Sequence, residues 1–180
     1  MPAEHPAVFF DRDGTLIHEA HYCSDPSQVR AVEGVVEALV KLSDAGFALV
    51  IVTNQSGIGR GYFTHDAYHR VHEEVLRQLQ PAVITAAYYD ESTPDQPSPR
   101  RKPSPAMLQE AAREHGLDLS RSWMVGDKTC DVECGKNAGL RTVLVETGHG
   151  KDHLDCGADA VVPDIGHAAD FILQEVACPK

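Results

Sequence analysis

Residues 7–15 read Ala-Val-Phe-Phe-Asp-Arg-Asp-Gly-Thr. Four apolar residues in a row suit a strand buried on both faces. The run ends abruptly at two carboxylates, Asp11 and Asp13, and at a glycine suited to a tight turn. The pattern recurs along the chain. Residues 48–53 (Ala-Leu-Val-Ile-Val-Thr) lead into Asn54-Gln55-Ser56-Gly57, residues 83–89 into Asp90, and residues 123–125 into Gly126-Asp127-Lys128-Thr129-Cys130-Asp131. Residues 142–145 and 160–162 supply a fifth and a sixth apolar run.

Helical patterns fill the intervals. Over 35–45 the apolar Val35, Val36, Leu39, Val40 and Leu42 recur at helical spacing, and Gly46 ends the run. Thr64 is placed to cap a helix to about residue 80, with Tyr68, Val71, Val75, Leu76 and Leu79 on one side and Pro81 as the stop. Ser104 followed by Pro105 opens a helix that ends near His115-Gly116. A short helix over 131–138 closes at Gly139, and a last one covers about 165–176. Strands alternating with helices predict right-handed crossovers and a mostly parallel sheet with helices on both faces. The expectation is a doubly wound, Rossmann-like α/β fold, one domain over 1–180, with its chemistry beyond the C-terminal strand ends. The Pro/Ser-rich stretch 92–105 reads as a functional loop.

Composition narrows the function. The 180 residues are 42% hydrophobic and 24% charged, as in a globular domain, and no apolar run approaches the ~18 residues of a membrane helix. A strand that begins at residue 7 leaves no room for a secretory signal, so a cytoplasmic protein is expected. The five cysteines at 23, 130, 134, 156 and 178 form no disulfide framework, which agrees with a reducing compartment. With 16 basic against 27 acidic residues and a formal charge of −11, neither nucleic acid nor an anionic membrane is an expected partner. A monomer is expected.

The strand ends carry the chemistry. In order they offer Asp11 and Asp13, then Thr53 and Asn54, then Arg100-Arg101-Lys102-Pro103, then Asp127 and Asp131. Each piece alone is ordinary turn or capping chemistry. Together on one rim they are not, because two unit charges ~4 Å apart cost about 4 kcal/mol at an effective dielectric of ~20. Carboxylates so crowded call for a cation, and an all-oxygen set suits Mg²⁺.

In this order the four segments resemble the signature motifs of the haloacid dehalogenase superfamily of phosphotransferases. The resemblance implies that Asp11 is the nucleophile and forms an aspartyl-phosphate. Asp13 would protonate the leaving oxygen and then activate water, a role that calls for a pKa raised toward neutrality by burial and nearby acid. Thr53 and Lys102 would hold the phosphoryl oxygens, with Asn54 assisting. Mg²⁺ would sit on the Asp11 carboxylate, the Asp13 main-chain carbonyl and Asp127, with Asp131 behind, orienting Lys102. Dehalogenating members lack the second acid, so the chain reads as a phosphatase. Neither the stretch between Asp11 and Thr53 nor that between Thr53 and Lys102 has room for a cap domain.

Residues 53–61 (Thr-Asn-Gln-Ser-Gly-Ile-Gly-Arg-Gly) and Arg101-Lys102-Pro103 are similar to one branch of that superfamily. It holds the D-glycero-D-manno-heptose 1,7-bisphosphate 7-phosphatases and the histidinol-phosphate phosphatases. There the residues matching Gln55, Ser56, Arg60 and Arg101 line the substrate side. The expected substrate is a small phosphate ester, first the heptose bisphosphate losing its 7-phosphate, then histidinol phosphate. Polynucleotide 3′-phosphatases share the pattern, but the acidic charge opposes that reading. A silent phosphate-binding relative would not need the second acid. Arg12, Arg60, Arg100, Arg101, Lys102 and Lys128 flank the motifs and would draw a small polyanion; Arg12 and Arg100 are the readiest of these to be solvated loop charges. Zinc-carrying members of the branch place Cys and His before the Arg-Lys-Pro. Residues 90–100 hold neither, so no structural zinc is expected. His65, His69 and His72 read as a solvated helix face, and Cys130 and Cys134 as small buried thiols. His149 and His153 lie in a loop near the rim.

Overall fold

The computed structural model describes residues 5–177; Met1–Glu4 and Cys178 lie outside the described residues. Six strands form one parallel sheet: β1 Ala7–Phe10, β2 Ala48–Asn54, β3 Ala86–Asp90, β4 Trp123–Gly126, β5 Arg141–Val145 and β6 Ala160–Val162. Their spatial order is β3-β2-β1-β4-β5-β6. The chain winds outward from β1 to β3, returns to the centre, and winds outward again from β4. Its direction reverses between β1 and β4, and there the diverging connections leave a crevice at the strand ends. Asp11 follows β1 and Asp127 follows β4.

The apolar runs are continuous because both faces of the sheet are covered. On one face Val8, Phe10, Leu49, Ile51, Val125 and Val143 pack with α1 Val35–Asp44, α3 His65–Leu79 and α6 Ile165–Ala177. On the other, Ala7, Phe9, Val50, Val52 and Met124 pack with α4 Ala106–His115 and with Cys134 of α5 Thr129–Asn137. A four-residue helix, α2 Ser56–Gly59, follows β2. Among the described residues no helix is long and apolar enough to cross a membrane.

Local signals set most boundaries. The Thr64 hydroxyl accepts from the Ala67 N–H at the start of α3, and Gly116, at φ 62°, ends α4. Three expected boundaries move. The third strand begins at Ala86 rather than residue 83, since Val83 is exposed and pairing with β2 starts at Val50–Ala86. The fourth helix starts at Ala106, one residue after Pro105, with the Ser104 hydroxyl accepting from the Ala106 N–H. The fifth starts at Thr129 because the Asp131 carboxylate turns back to the Lys128 N–H.

Residues 17–33 fold over the strand ends as a flap. Its base closes where the His18 N–H donates to the Arg30 carbonyl and the Val32 N–H to that of Leu16. At its tip His21 and Tyr22 have φ of 42° and 63°, a left-handed conformation uncommon for non-glycine residues.

The expected solvated histidine face holds only in part. His72 is half-buried and stacks on Tyr68, and its Nδ1 has no partner among the described residues. Burial first, then Arg12 and His69, lower its pKa to about 4.

Two outcomes follow for stability. Leu39→Ala, at a fully buried position of α1, should cost about 2–5 kcal/mol in urea unfolding. Between about pH 6.5 and 4 the unfolded chain binds a proton at His72 that the folded one refuses, so stability should fall as the pH drops through that window. Unfolding of His72→Gln at pH 7 and 4.5 should show a shallower acid loss than the parent.

Candidate active site

The rim of the crevice gathers the C-terminal ends of the central strands. Asp11 extends β1 by one step, its N–H donating to the Val125 carbonyl at 3.0 Å. The Lys102 ammonium reaches in from the loop before α4. It donates to Asp11 Oδ1 at 2.8 Å, Asp131 Oδ1 at 2.7 Å and the Val52 carbonyl at 2.8 Å. All three of its protons are therefore engaged. Burial works against the ammonium, but Asp11 and Asp131 outweigh it and hold the pKa well above the usual lysine range. Asn54 fixes the Lys102 backbone in both directions, its Oδ1 accepting from the Lys102 N–H and its Nδ2 donating to the Lys102 carbonyl.

Asp11, Asp127 and Asp131 are all buried, and one oxygen of each lies within 4.8 Å of the others. Asp127 sits deepest. Its Oδ2 accepts from the His149 N–H at 2.8 Å, while Oδ1 has no partner among the described residues. Burial and the charges of Asp11 and Asp131 push the Asp127 carboxyl up to about 8. Two glycines make room for it: a Cβ on Gly14 or Gly148 would collide with Asp127 Oδ2, and both residues have positive φ. Three carboxylates against the ammoniums of Lys102 and Lys128 leave a formal −1, and Asp127 Oδ1 has no partner among the described residues. This donor set fits a small divalent cation.

Asp13 stands apart. Its carboxylate accepts from Arg12 Nε at 3.0 Å, Arg12 Nη2 at 3.2 Å and Gln55 Nε2 at 2.8 Å. Burial pushes its pKa up, but the Arg12 guanidinium, by charge and hydrogen bond, overcomes that and holds the carboxyl below its usual range. The expected rise toward neutrality is thus corrected. The adjacent Arg12 is not a solvated loop charge but 1% exposed. Gln55 also donates to Thr53 Oγ1 at 2.8 Å, which leaves the threonine hydroxyl proton free to donate elsewhere.

A cleft of about 360 Å³ opens above these groups. Asp11, Asp13, Thr53, Asn54, Gln55, Ser56, Arg101, Lys102 and Asp131 all line it. Arg60 does not. It closes α2 as its C-terminal cap and is exposed. Arg100 turns away, pairing with Glu110 at 2.8 Å. Of the six cations that flank the motifs, Arg101, Lys102 and Lys128 line the cleft. The far wall comes from Glu19, His21, Tyr22 and Cys23 of the flap, which no motif marks, with Cys130 of the fourth segment and His149 of the rim loop. Glu19 faces Lys128 at 3.8 Å and His149 at 3.7 Å. No motif in the sequence signals the flap's part of this wall. Cys134 is buried as expected, whereas Cys130 is half-buried at the cleft.

With the geometry in view, comparisons place the chain among known proteins. A family model described as HAD-hydrolase-like matches residues 99–168. A D-glycero-D-manno-heptose-1,7-bisphosphate 7-phosphatase of Thermosynechococcus vestitus is 36% identical, over 96% of this chain and 97% of the relative. The chain belongs to the haloacid dehalogenase-like hydrolase family. It is a phosphatase of that family, and its substrate is a phosphate ester. An Escherichia coli relative, a D-glycero-beta-D-manno-heptose-1,7-bisphosphate 7-phosphatase, is 35% identical over 96% of this chain and 90% of the relative. A crystal structure of a D,D-heptose 1,7-bisphosphate phosphatase from B. bronchiseptica, complexed with magnesium and phosphate, superposes with a TM-score of 0.86. It is 30% identical and covers 94% of this chain and 99% of that one.

In this haloacid dehalogenase-like phosphatase the loop before Lys102 is fastened by a carboxylate. Asp90, buried at the end of β3, accepts hydrogen bonds from the Ser92 N–H, the Ser92 hydroxyl and the Ser98 hydroxyl. The Ser98 hydroxyl in turn accepts from the Arg100 N–H, and Arg101 Nη1 donates to the Ser92 carbonyl. Asp90→Asn, which turns one acceptor oxygen into a donor, should speed amide exchange at Ser98 and Arg100 by at least about tenfold, the weight of a ~1.4 kcal/mol loss. A zinc chelator should leave exchange in the parent unchanged.

Proposed function

We propose that the chain removes the 7-phosphate of D-glycero-D-manno-heptose 1,7-bisphosphate through an aspartyl-phosphate on Asp11. The observation that carries the chemistry is the buried Lys102 ammonium bridging Asp11 and Asp131 at the crevice between β1 and β4. The full-length likeness to phosphatases of that name supports the substrate.

The phosphoryl group enters above Asp11. Lys102 has no spare proton, so it meets a phosphoryl oxygen by exchanging its bond to Asp11, the proposed nucleophile. The exchange frees the Asp11 oxygen to attack. The Thr53 hydroxyl donates to a second phosphoryl oxygen, and Ser56 and Arg101 stand where the rest of the substrate lies. Asp13 rests as a carboxylate on Arg12 and Gln55, and a phosphate dianion beside it raises its affinity for a proton. In the first step an Asp11 oxygen bonds to phosphorus, the bond from phosphorus to the sugar oxygen breaks, and Asp13 gives that oxygen its proton. In the second step water attacks phosphorus and yields a proton to Asp13. The Asp11 bond then breaks, and inorganic phosphate leaves. Asp11 and Asp127, with the Asp13 main-chain carbonyl, would hold Mg²⁺, and Asp131 would back them. Bound there, the cation would offset the repulsion between Asp11 and the phosphate. No zinc is proposed for the Asp90 loop, and a small phosphate ester rather than nucleic acid is the proposed partner.

Phosphate release from heptose bisphosphate, histidinol phosphate, fructose 1,6-bisphosphate and a 3′-phosphorylated oligonucleotide tests the reading. With Mg²⁺ the heptose should lead by ~100-fold in kcat/KM, about 2.7 kcal/mol of discrimination. Chelation of the metal, or Asp11→Asn, should bring release to background. A different leader would overturn the substrate, and turnover by Asp11→Asn would overturn the nucleophile.

A further inference from the structure

Arg12 lies between the two acids in sequence, yet its side chain leaves the cleft and is 1% exposed. Its Nε and Nη2 grip opposite oxygens of Asp13. This two-point fork fixes a carboxylate in direction as well as in place. The guanidinium carbon lies 5.2 Å from the centre of the Tyr68 ring. Tyr68 is 2% exposed and is itself packed against Tyr89 and His72. The grip on Asp13 is therefore backed by helix α3. Among the described residues Oδ1 accepts from Arg12 alone, and Asp13 lines the cleft.

Packing does not account for this residue. A buried guanidinium whose Nη1 has no partner among the described residues works against stability, and a Met or Leu would fill similar space without that penalty. What a guanidinium alone supplies here is the planar fork, which the point charge of a lysine lacks.

We infer that Arg12 is the positioning residue of the proton-transfer step: pinned under Tyr68, its fork holds the Asp13 carboxylate at the angle from which it protonates the leaving oxygen. The inference rests on the assignment of Asp13 as the acid. The test compares two substrates by kcat/KM, which reports events up to departure of the leaving group. One is a primary alkyl phosphate, whose alkoxide must be protonated. The other is p-nitrophenyl phosphate, whose phenolate leaves without a proton.

Arg12→Met should lower kcat/KM by about 100-fold on the alkyl phosphate, within the range of general acid catalysis, and by less than about tenfold on the aryl phosphate. Arg12→Lys, which keeps the charge and loses the fork, should split the two substrates in the same sense. Asp13→Asn should do so as well. The ratio of the two substrates on one preparation does not depend on how much of a variant is folded. An equal loss on both substrates in Arg12→Met, with the split kept in Asp13→Asn, would overturn the role of Arg12. Full activity in Arg12→Lys would overturn the argument from the fork. Absence of the split in Asp13→Asn would remove Asp13 as the acid, and this inference with it.

Discussion

Taking an ammonium and two carboxylates out of water costs several kcal/mol per ion, and only close pairing with full hydrogen bonding recovers it. Lys102, Asp11 and Asp131 meet those terms: three bonds of 2.7–2.8 Å leave the ammonium no free proton. The rest of the site is arranged around that bridge. Asn54 clamps the Lys102 backbone, Asp131 is held from behind by the Lys128 N–H, and the Val52 carbonyl at the end of β2 takes the third proton. Removing any one partner leaves a charge buried without compensation, so the order of the strands is written into the site.

The bridge does not balance the charge. Asp127 adds a third carboxylate beneath it, packed so closely under Gly14 and Gly148 that no side chain fits above it. Its pKa is raised first by burial and then by the charges of Asp11 and Asp131, and its Oδ1 has no partner among the described residues. A proton or a divalent cation relieves the surplus of negative charge, and a phosphoryl dianion adds to it.

Asp13 obeys a different logic. Sequence reasoning counted the acids near it and expected a raised pKa, but the side chain turns from them to Arg12 and Gln55. Two functions are separated by that turn. Asp11 faces the carboxylate group and the ammonium, and Asp13 faces a guanidinium anchored in the aromatic cluster of α3. The loop before Lys102 is similarly set by a buried carboxylate, Asp90, whose serine partners stand in a segment without cysteine or histidine.

Much of this was legible in the chain alone. Continuous apolar runs can be satisfied only between two helical layers, so residues 7–10 and 48–53 already implied a covered parallel sheet. Polar residues at the ends of such runs must share one rim, which is why Asp11, Thr53, Lys102 and Asp127 could be named as one site. The direction in which each side chain turns was not legible. Arg12, taken for a solvated charge, is buried because Tyr68, far along the chain, offers it a ring and Asp13 a partner. Arg60, expected on the substrate side, closes a four-residue helix and is exposed outside the cleft lining. The flap wall of Glu19, His21 and Tyr22 carries no periodicity, since its shape comes from where it lands and not from a repeating pattern. Local sequence determined which groups were available and on which rim. Tertiary packing decided which of them face one another, because burial, pairing and hydrogen bonding are properties of neighbours that the chain brings together only on folding.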